Sequence, residues 1–205
     1  MPGPALLRRL TASRTGVSIT EFGLIAPVFM VMMMGVLDVC HTLYVQSVLQ
    51  GAVQKAARDS SLETGGTSAV QTAMDTAITD QVKRLASNAT VTITRTSFRD
   101  YTKAAVRAKE PFTDATSGTY ANGICDHGEP YEDNNDSGSW DVDNGRTGQG
   151  GAKDTVILST QVVYPRIFPF MKTVGLPANV TVSAATVLAN QPFGDQAAVT
   201  VRNCP

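Results

Sequence analysis

Glu21 is a lone carboxylate at the head of an apolar run that extends over residues 22–37. A charge in hydrocarbon is costly, so its presence there asks for a partner or a role. Gly16, a small residue, ends a basic leader shortly before it, and Val17 follows. Farther along, Asp38 and His41 lie one helical turn apart, where they can meet on one face. They read as an interfacial pair marking the far end of a membrane span. Between Cys125 and Asn144 stand seven carboxylates (Asp126, Glu129, Glu132, Asp133, Asp136, Asp141 and Asp143) and no Lys or Arg. Such density repels itself unless it is solvated or neutralised. Within it, Asp133, Asn135, Ser137 and Asp141 with the Ser139 carbonyl have the spacing of a calcium loop. Alternating oxygens there wrap a hard cation, and Gly138 allows the sharp turn. Asn144 stands where such a loop carries a bidentate glutamate, so calcium, the one cofactor suggested, should bind weakly. The alternative is a solvated acidic loop.

Little else in the chain can do chemistry. His41 and His127 are the two histidines, and neither has a serine or cysteine arrangement that reads as a nucleophile. Residues 145–151 are glycine-rich but lack the Lys-Ser/Thr of a phosphate-binding loop. No enzymatic activity is expected. The net charge is -1 and no basic patch is visible, which argues against a nucleic-acid partner. The three cysteines, at 40, 125 and 204, lack the spacing of a zinc site. Cys125 and Cys204 would both be exported, so a bridge between them is favoured over two free thiols. Cys40 reads as a small apolar filler of the membrane helix.

These residues need elements to position them. Residues 1–16 form the leader, with Arg8, Arg9 and Arg14 and no acid. Positive charge beside a first helix holds that end in the cytoplasm, so the chain beyond residue 45 should lie outside. A cleaved signal peptide is the rival reading, but its apolar region is shorter and ends at a small-residue site that is missing here. Residues 17–40 are long enough to span a bilayer. Pro27 predicts a kink or local break near residues 23–27. Val45, Leu49, Ala52 and Ala56 continue the helix to about residue 60 with one apolar face. A second helix follows, capped by Thr67 or Ser68, with Val70, Met74, Ile78 and Val82 on its apolar side. Alternation at Ala89, Val91 and Ile93 predicts a strand, and residues 156–164 and 179–188 predict two more. Residues 98–110 are ambiguous, residues 111–153 read as loop, and the chain shows no internal repeats. Phe168, Phe170 and Met171 read as core. The order is α, α, β, long loop, β, β, an α+β head over residues 41–205 on a long N-terminal helix.

The Gly16-to-Glu21 register resembles type IV prepilins, in which a cytoplasmic-side peptidase cuts after the glycine and leaves glutamate as mature residue five. Counted from Val17, Glu21 is residue five and Phe22 residue six. The wider stretch resembles the TadE-like family, over residues 14–58: Arg14-Thr15-Gly16, Glu21-Phe22-Gly23-Leu24-Ile25-Ala26-Pro27, Leu43-Tyr44-Val45 and Ala56-Ala57-Arg58. These are pseudopilins of the tight-adherence (Flp) pilus secretion apparatus. The resemblance implies processing between Gly16 and Val17 by a prepilin peptidase. It implies that Glu21 pairs with a neighbouring subunit's freed amine, with Phe22 beside it in assembly. It further implies a pilin-like head and a single-pass place in a bacterial inner membrane, N-terminus cytoplasmic and C-terminal domain periplasmic or extracellular. Partners would be other pilus-assembly proteins and pilin subunits, met through the N-terminal helix. A membrane-tethered calcium-dependent adhesion or binding module is the alternative.

Overall fold

The computed structural model describes residues 16–62, 66–115 and 121–205. Helix α1 runs Val17–Ser60, 44 residues, with Pro27 inside it. The break expected near residues 23–27 is absent, because the helical backbone continues through Pro27. Proline removes one backbone donor. The Leu-, Met- and Ala-containing turns around it are good helix formers and carry the helix across.

Two compact units divide the chain. In the first, described over residues 16–43 and Arg166–Ala178, α1 is apolar and bare: Leu24 is 80% exposed and Val28 64%. This helix is long and apolar enough to cross a membrane. Its length of apolar chain matches the roughly 20 residues that a hydrocarbon core requires.

The second unit holds residues 44–165 and 179–205. Here the same helix turns one-sided. Val45, Leu49, Ala52, Val53 and Ala56 are buried at helical spacing. Helix α2, Ser68–Lys83, buries Met74, Ile78 and Val82. The strands are β1 Thr90–Phe98, β2 Pro130–Asp133, β3 Arg146–Thr147, β4 Thr155–Pro165, β5 Asn179–Ala189 and β6 Thr200–Asn203. One sheet has the order β3-β1-β4-β5, and β2 and β6 form a second ladder; every pairing is antiparallel. Along β5 every second residue from Val180 to Ala184 is buried, the period expected of a half-solvated strand. Val156, Leu158, Val162, Val180, Val182 and Ala184 join the α1 and α2 residues in one core.

The architecture is the expected α+β, with a long N-terminal apolar helix before a small sheet-rich domain. Several elements go beyond the expected order. Residues 98–110 hold the end of β1 and helix α3, Tyr101–Val106, capped by Asp100 through the Lys103 N–H at 2.8 Å. Residues 111–153 hold β2 and β3 rather than loop alone, and β6 was not anticipated. These strands are short and polar, so no apolar alternation announces them.

Candidate functional site

The first candidate site is the head of α1. Gly16 directly precedes the helix and is exposed. Glu21 lies within its first turns and is exposed, and Phe22 beside it is 68% exposed. The Val17 backbone begins the helix. The leader arginines lie outside the described residues. Glu21 is the fifth residue of α1, just past its first turn. Among the described residues this stretch is exposed, so its apolar side chains can meet lipid or a like helix.

At the other end of the apolar stretch, Asp38 is 3% exposed and forms an ion pair with Arg166. That partner lies 128 residues away in sequence, so spacing alone could not name it. The Arg166 Nε donates to the Pro177 carbonyl at 2.8 Å, and its backbone N–H donates to the Ala178 carbonyl at 3.0 Å. Cys40 is exposed on α1 rather than packed as a filler.

The acidic region forms the second candidate site, and it contains a repeat that the sequence reading missed. Glu110-Pro111-Phe112-Thr113-Asp114 and Glu129-Pro130-Tyr131-Glu132-Asp133 share the pattern Glu-Pro-aromatic-x-Asp. The two copies exchange bonds reciprocally. Glu132 N–H donates to the Pro111 carbonyl at 2.9 Å, and Thr113 N–H to the Pro130 carbonyl at 2.8 Å. Phe112 and Tyr131 bridge antiparallel between them. The Glu110 carboxylate accepts from Asn134 N–H at 2.8 Å and Asp141 N–H at 3.1 Å. The Glu129 carboxylate accepts from Ala115 N–H at 2.8 Å and Asp126 N–H at 2.9 Å. Each glutamate therefore braces the loop that follows the other copy's aspartate. Within each loop the aspartate accepts from a glycine N–H: Gly123 to Asp114 at 2.7 Å and Gly138 to Asp133 at 3.0 Å. Both glycines have positive φ, 76° and 82°, which side-chain-bearing residues rarely adopt.

The predicted calcium ligands come together around Ser137. Its Oγ donates to Asp141 at 2.7 Å and to the Ser139 carbonyl at 2.9 Å. Its N–H donates to Asp133 at 3.0 Å and to Asn135 at 2.9 Å. Asn135 Nδ2 donates to Asp141 at 2.9 Å. Asp133 also pairs with Arg202 of β6 at 2.6 Å. Such bonds neutralise part of the negative charge that sequence reading left to solvent or cation. Among the described residues no group of three or more His, Cys, Asp or Glu is placed to hold a metal, and the predicted ligand set includes two carboxylates, Asp133 and Asp141.

Two carboxyl groups have shifted pKa values in this packing. Burial pushes the Glu110 carboxyl above its ordinary value of 4.5, against the hydrogen bonds that favour its charged form. Hydrogen bonds from Asn135 and then Ser137 hold the Asp141 carboxyl below 3.8.

The structure joins Cys125 to Cys204 in a disulfide. Cys204 N–H donates to the Glu129 carbonyl at 2.8 Å, and Gly128 N–H to the Cys204 carbonyl at 3.0 Å. The C-terminal strand is thereby held against the repeat. Cys125 precedes Asp126 as Trp140 precedes Asp141; the indole Nε1 donates to the Glu110 carbonyl at 2.9 Å. One loop is fastened covalently and its counterpart by an aromatic ring.

No curated protein and no solved structure matches the chain. One family model does: residues 16–58 match that of the TadE-like protein family, a stretch that takes in the head of α1 with Glu21, its bare apolar half and most of its packed half.

Proposed function

We propose that the protein is a membrane-anchored, pseudopilin-like structural and assembly component of a tight-adherence (Flp) pilus secretion system. The observation that carries this reading is α1. One unbroken 44-residue helix is bare and apolar at its start and core-packed at its end, and it lies in the TadE-like stretch. Leader arginines Arg8, Arg9 and Arg14 favour a cytoplasmic N-terminus and an exported head. A prepilin peptidase cutting between Gly16 and Val17 would free an amine. Glu21 of one subunit would then pair with that amine on a neighbour, since opposite charges attract strongly where the dielectric is low. Apolar helix faces would pack side by side with pilin subunits and other assembly proteins.

The test is the mass of the mature N-terminus, joined to two variants. Processing should leave Val17 first, and Gly16→Arg should block it. Glu21→Ala should leave insertion and cleavage intact and impair piliation. A mature chain that starts at Met1, or normal piliation with the alanine variant, overturns the corresponding step.

A second reading, a membrane-tethered calcium-dependent adhesion or binding module, draws support from the convergence of Asp133, Asn135, Ser137, Ser139 and Asp141 on one loop. Its test is calcium-dependent stability of the head, taken up below.

A further inference from the structure

We propose that the Arg166–Ala178 connection between β4 and β5 is a membrane-dipping hairpin, seated in the exported-side leaflet of the bilayer that α1 crosses. The inference rests on α1 as a membrane span and is independent of the pilus reading. Arg166–Ala178 and the N-terminal part of α1 form one compact unit. Two contacts set its depth. Arg166 reaches Asp38, at the end of the apolar run. Met171, 3% exposed, lies beside Gly35, where an added Cβ would sit 3.7 Å from its Cε. Gly35 is three residues closer to the membrane centre than Asp38, about 4.5 Å along a helix axis. A span of roughly 20 residues that starts near Ser18 ends near Leu37. The connection therefore descends past the polar pair and into the apolar zone.

Its composition fits that depth. Ile167 is 48% exposed and Leu176 42% exposed, on a turn whose 3-10 segment, Pro169–Val174, opens with proline. In water these would be stray apolar side chains; beside a bilayer they have a solvent. Lys172 is exposed in the last turn of that segment, where its long stem allows the amine to reach headgroups. Asp38 would otherwise be an unpaired charge at the membrane edge, and the Arg166 guanidinium, held by the Pro177 carbonyl, neutralises it there. The ion pair thus clamps the hairpin to the helix at the depth where a charge is most in need of a partner.

Tryptophan quenching tests this in the full-length protein reconstituted in phosphatidylcholine vesicles brominated near the head of the acyl chain. The parent, with Trp140 alone, gives the baseline. Ile167→Trp should add emission that is shifted to the blue and mostly lost in the brominated vesicles. Leu176→Trp should behave alike, and serves if the first variant fails to fold. Val28→Trp, quenched by bromine deep in the chains, reports the span itself. Quenching at residue 28 with unquenched, water-like emission at 167 and 176 overturns the hairpin and leaves the span standing. Loss of quenching at all three positions overturns the span and the hairpin with it.

Discussion

Val28 in α1 is apolar and 64% exposed, whereas Glu110 is charged by type and 0% exposed. The two regions invert the usual placement in opposite directions. Around Val28 the apolar side chains of α1 are exposed among the described residues, so their stabilising medium must come from elsewhere, as lipid or a second helix. Around Glu110 the polar atoms have been given partners from inside the chain: two backbone N–H groups on its carboxylate and an indole on its carbonyl. The difference separates two kinds of exception. An exposed apolar surface points to something the molecule meets. A buried carboxylate matched by backbone donors points to something the molecule uses to hold its own loops. Substitutions in the first region should change insertion or assembly and spare the head, and substitutions in the second should do the reverse.

Within the acidic region the largest effect should come from Glu110→Ala. It strips the acceptor from Asn134 N–H and Asp141 N–H, both part-buried. Each orphaned donor costs about 1–3 kcal/mol, so a total of about 2–4 kcal/mol is expected where water reaches part of the gap. For a domain of this size that lowers the melting temperature by roughly 10 °C. Glu110→Gln retains one acceptor oxygen and should recover about half of the loss. Thermal melts of the full chain in detergent decide the matter. An alanine variant that melts with the parent would place Glu110 among the solvated acids and erase the contrast with α1.

The two regions also differ in how far sequence reveals them. The apolar run to Leu37, then the stripe Val45, Leu49, Ala52 and Ala56, carry the 3.6-residue period and so predict α1. Thr155–Pro165 and Asn179–Ala189 are legible for the matching reason, apolar strands long enough to show alternation. The paired Glu-Pro-aromatic-x-Asp segments are not, although both copies stand in plain letters at 110–114 and 129–133. Each is five residues long, the loops between them differ in length, and most of their partners are backbone N–H groups, which no side-chain pattern records. Strand β6 depends on partners such as Cys125 and Asp133, about 70–80 residues away, and local propensity cannot see that far. Asp38 was legible as a charge at the end of a span, but its partner Arg166 was not.

The pH response comes next in size. Glu110 has a folded-state pKa above its unfolded value, so its contribution to stability is fully present below pH 4.5 and is lost as pH rises through the folded value. Asp141 has the opposite sign: its contribution is present above pH 3.8 and is lost as pH falls through its lower folded value. On acidification from neutrality the head should therefore gain from Glu110 before it loses from Asp141. In Glu110→Gln that gain disappears, so the stability gap between parent and variant should widen toward pH 4.5. A gap that is constant from pH 7 to pH 4.5 would show that burial does not govern this carboxyl.

Calcium should have a smaller effect. If the loop from Asp133 to Asp141 takes a cation, the absent twelfth-position glutamate limits affinity to about the millimolar range of extracellular modules. At about 5 mM calcium and a dissociation constant of about 1 mM the gain is about 1 kcal/mol. Asp141→Asn should abolish the calcium-dependent part of the melting shift. An identical melt in calcium and in chelator, with no binding by titration, returns the loop to hydrogen bonds and Arg202 alone.

The smallest effect on the head, and the sharpest use of the contrast, is Val28→Asp. Val28 lies near the middle of the bare apolar stretch. A carboxylate at the centre of a membrane helix costs about 3 kcal/mol of insertion, so the membrane-bound fraction should fall. The head's core draws its α1 residues from Val45 onward, and none of its contacts includes Val28. Its melting temperature in detergent should therefore match the parent's. Leu49→Asp supplies the counterpart on the same helix. Leu49 is 0% exposed in the core, so the same aspartate there should abolish the cooperative melt while leaving the apolar stretch able to insert. If Val28→Asp shifts the melt, the first half of α1 supports the head directly. The exposed apolar surface would then be a packing surface rather than one that faces lipid or another helix.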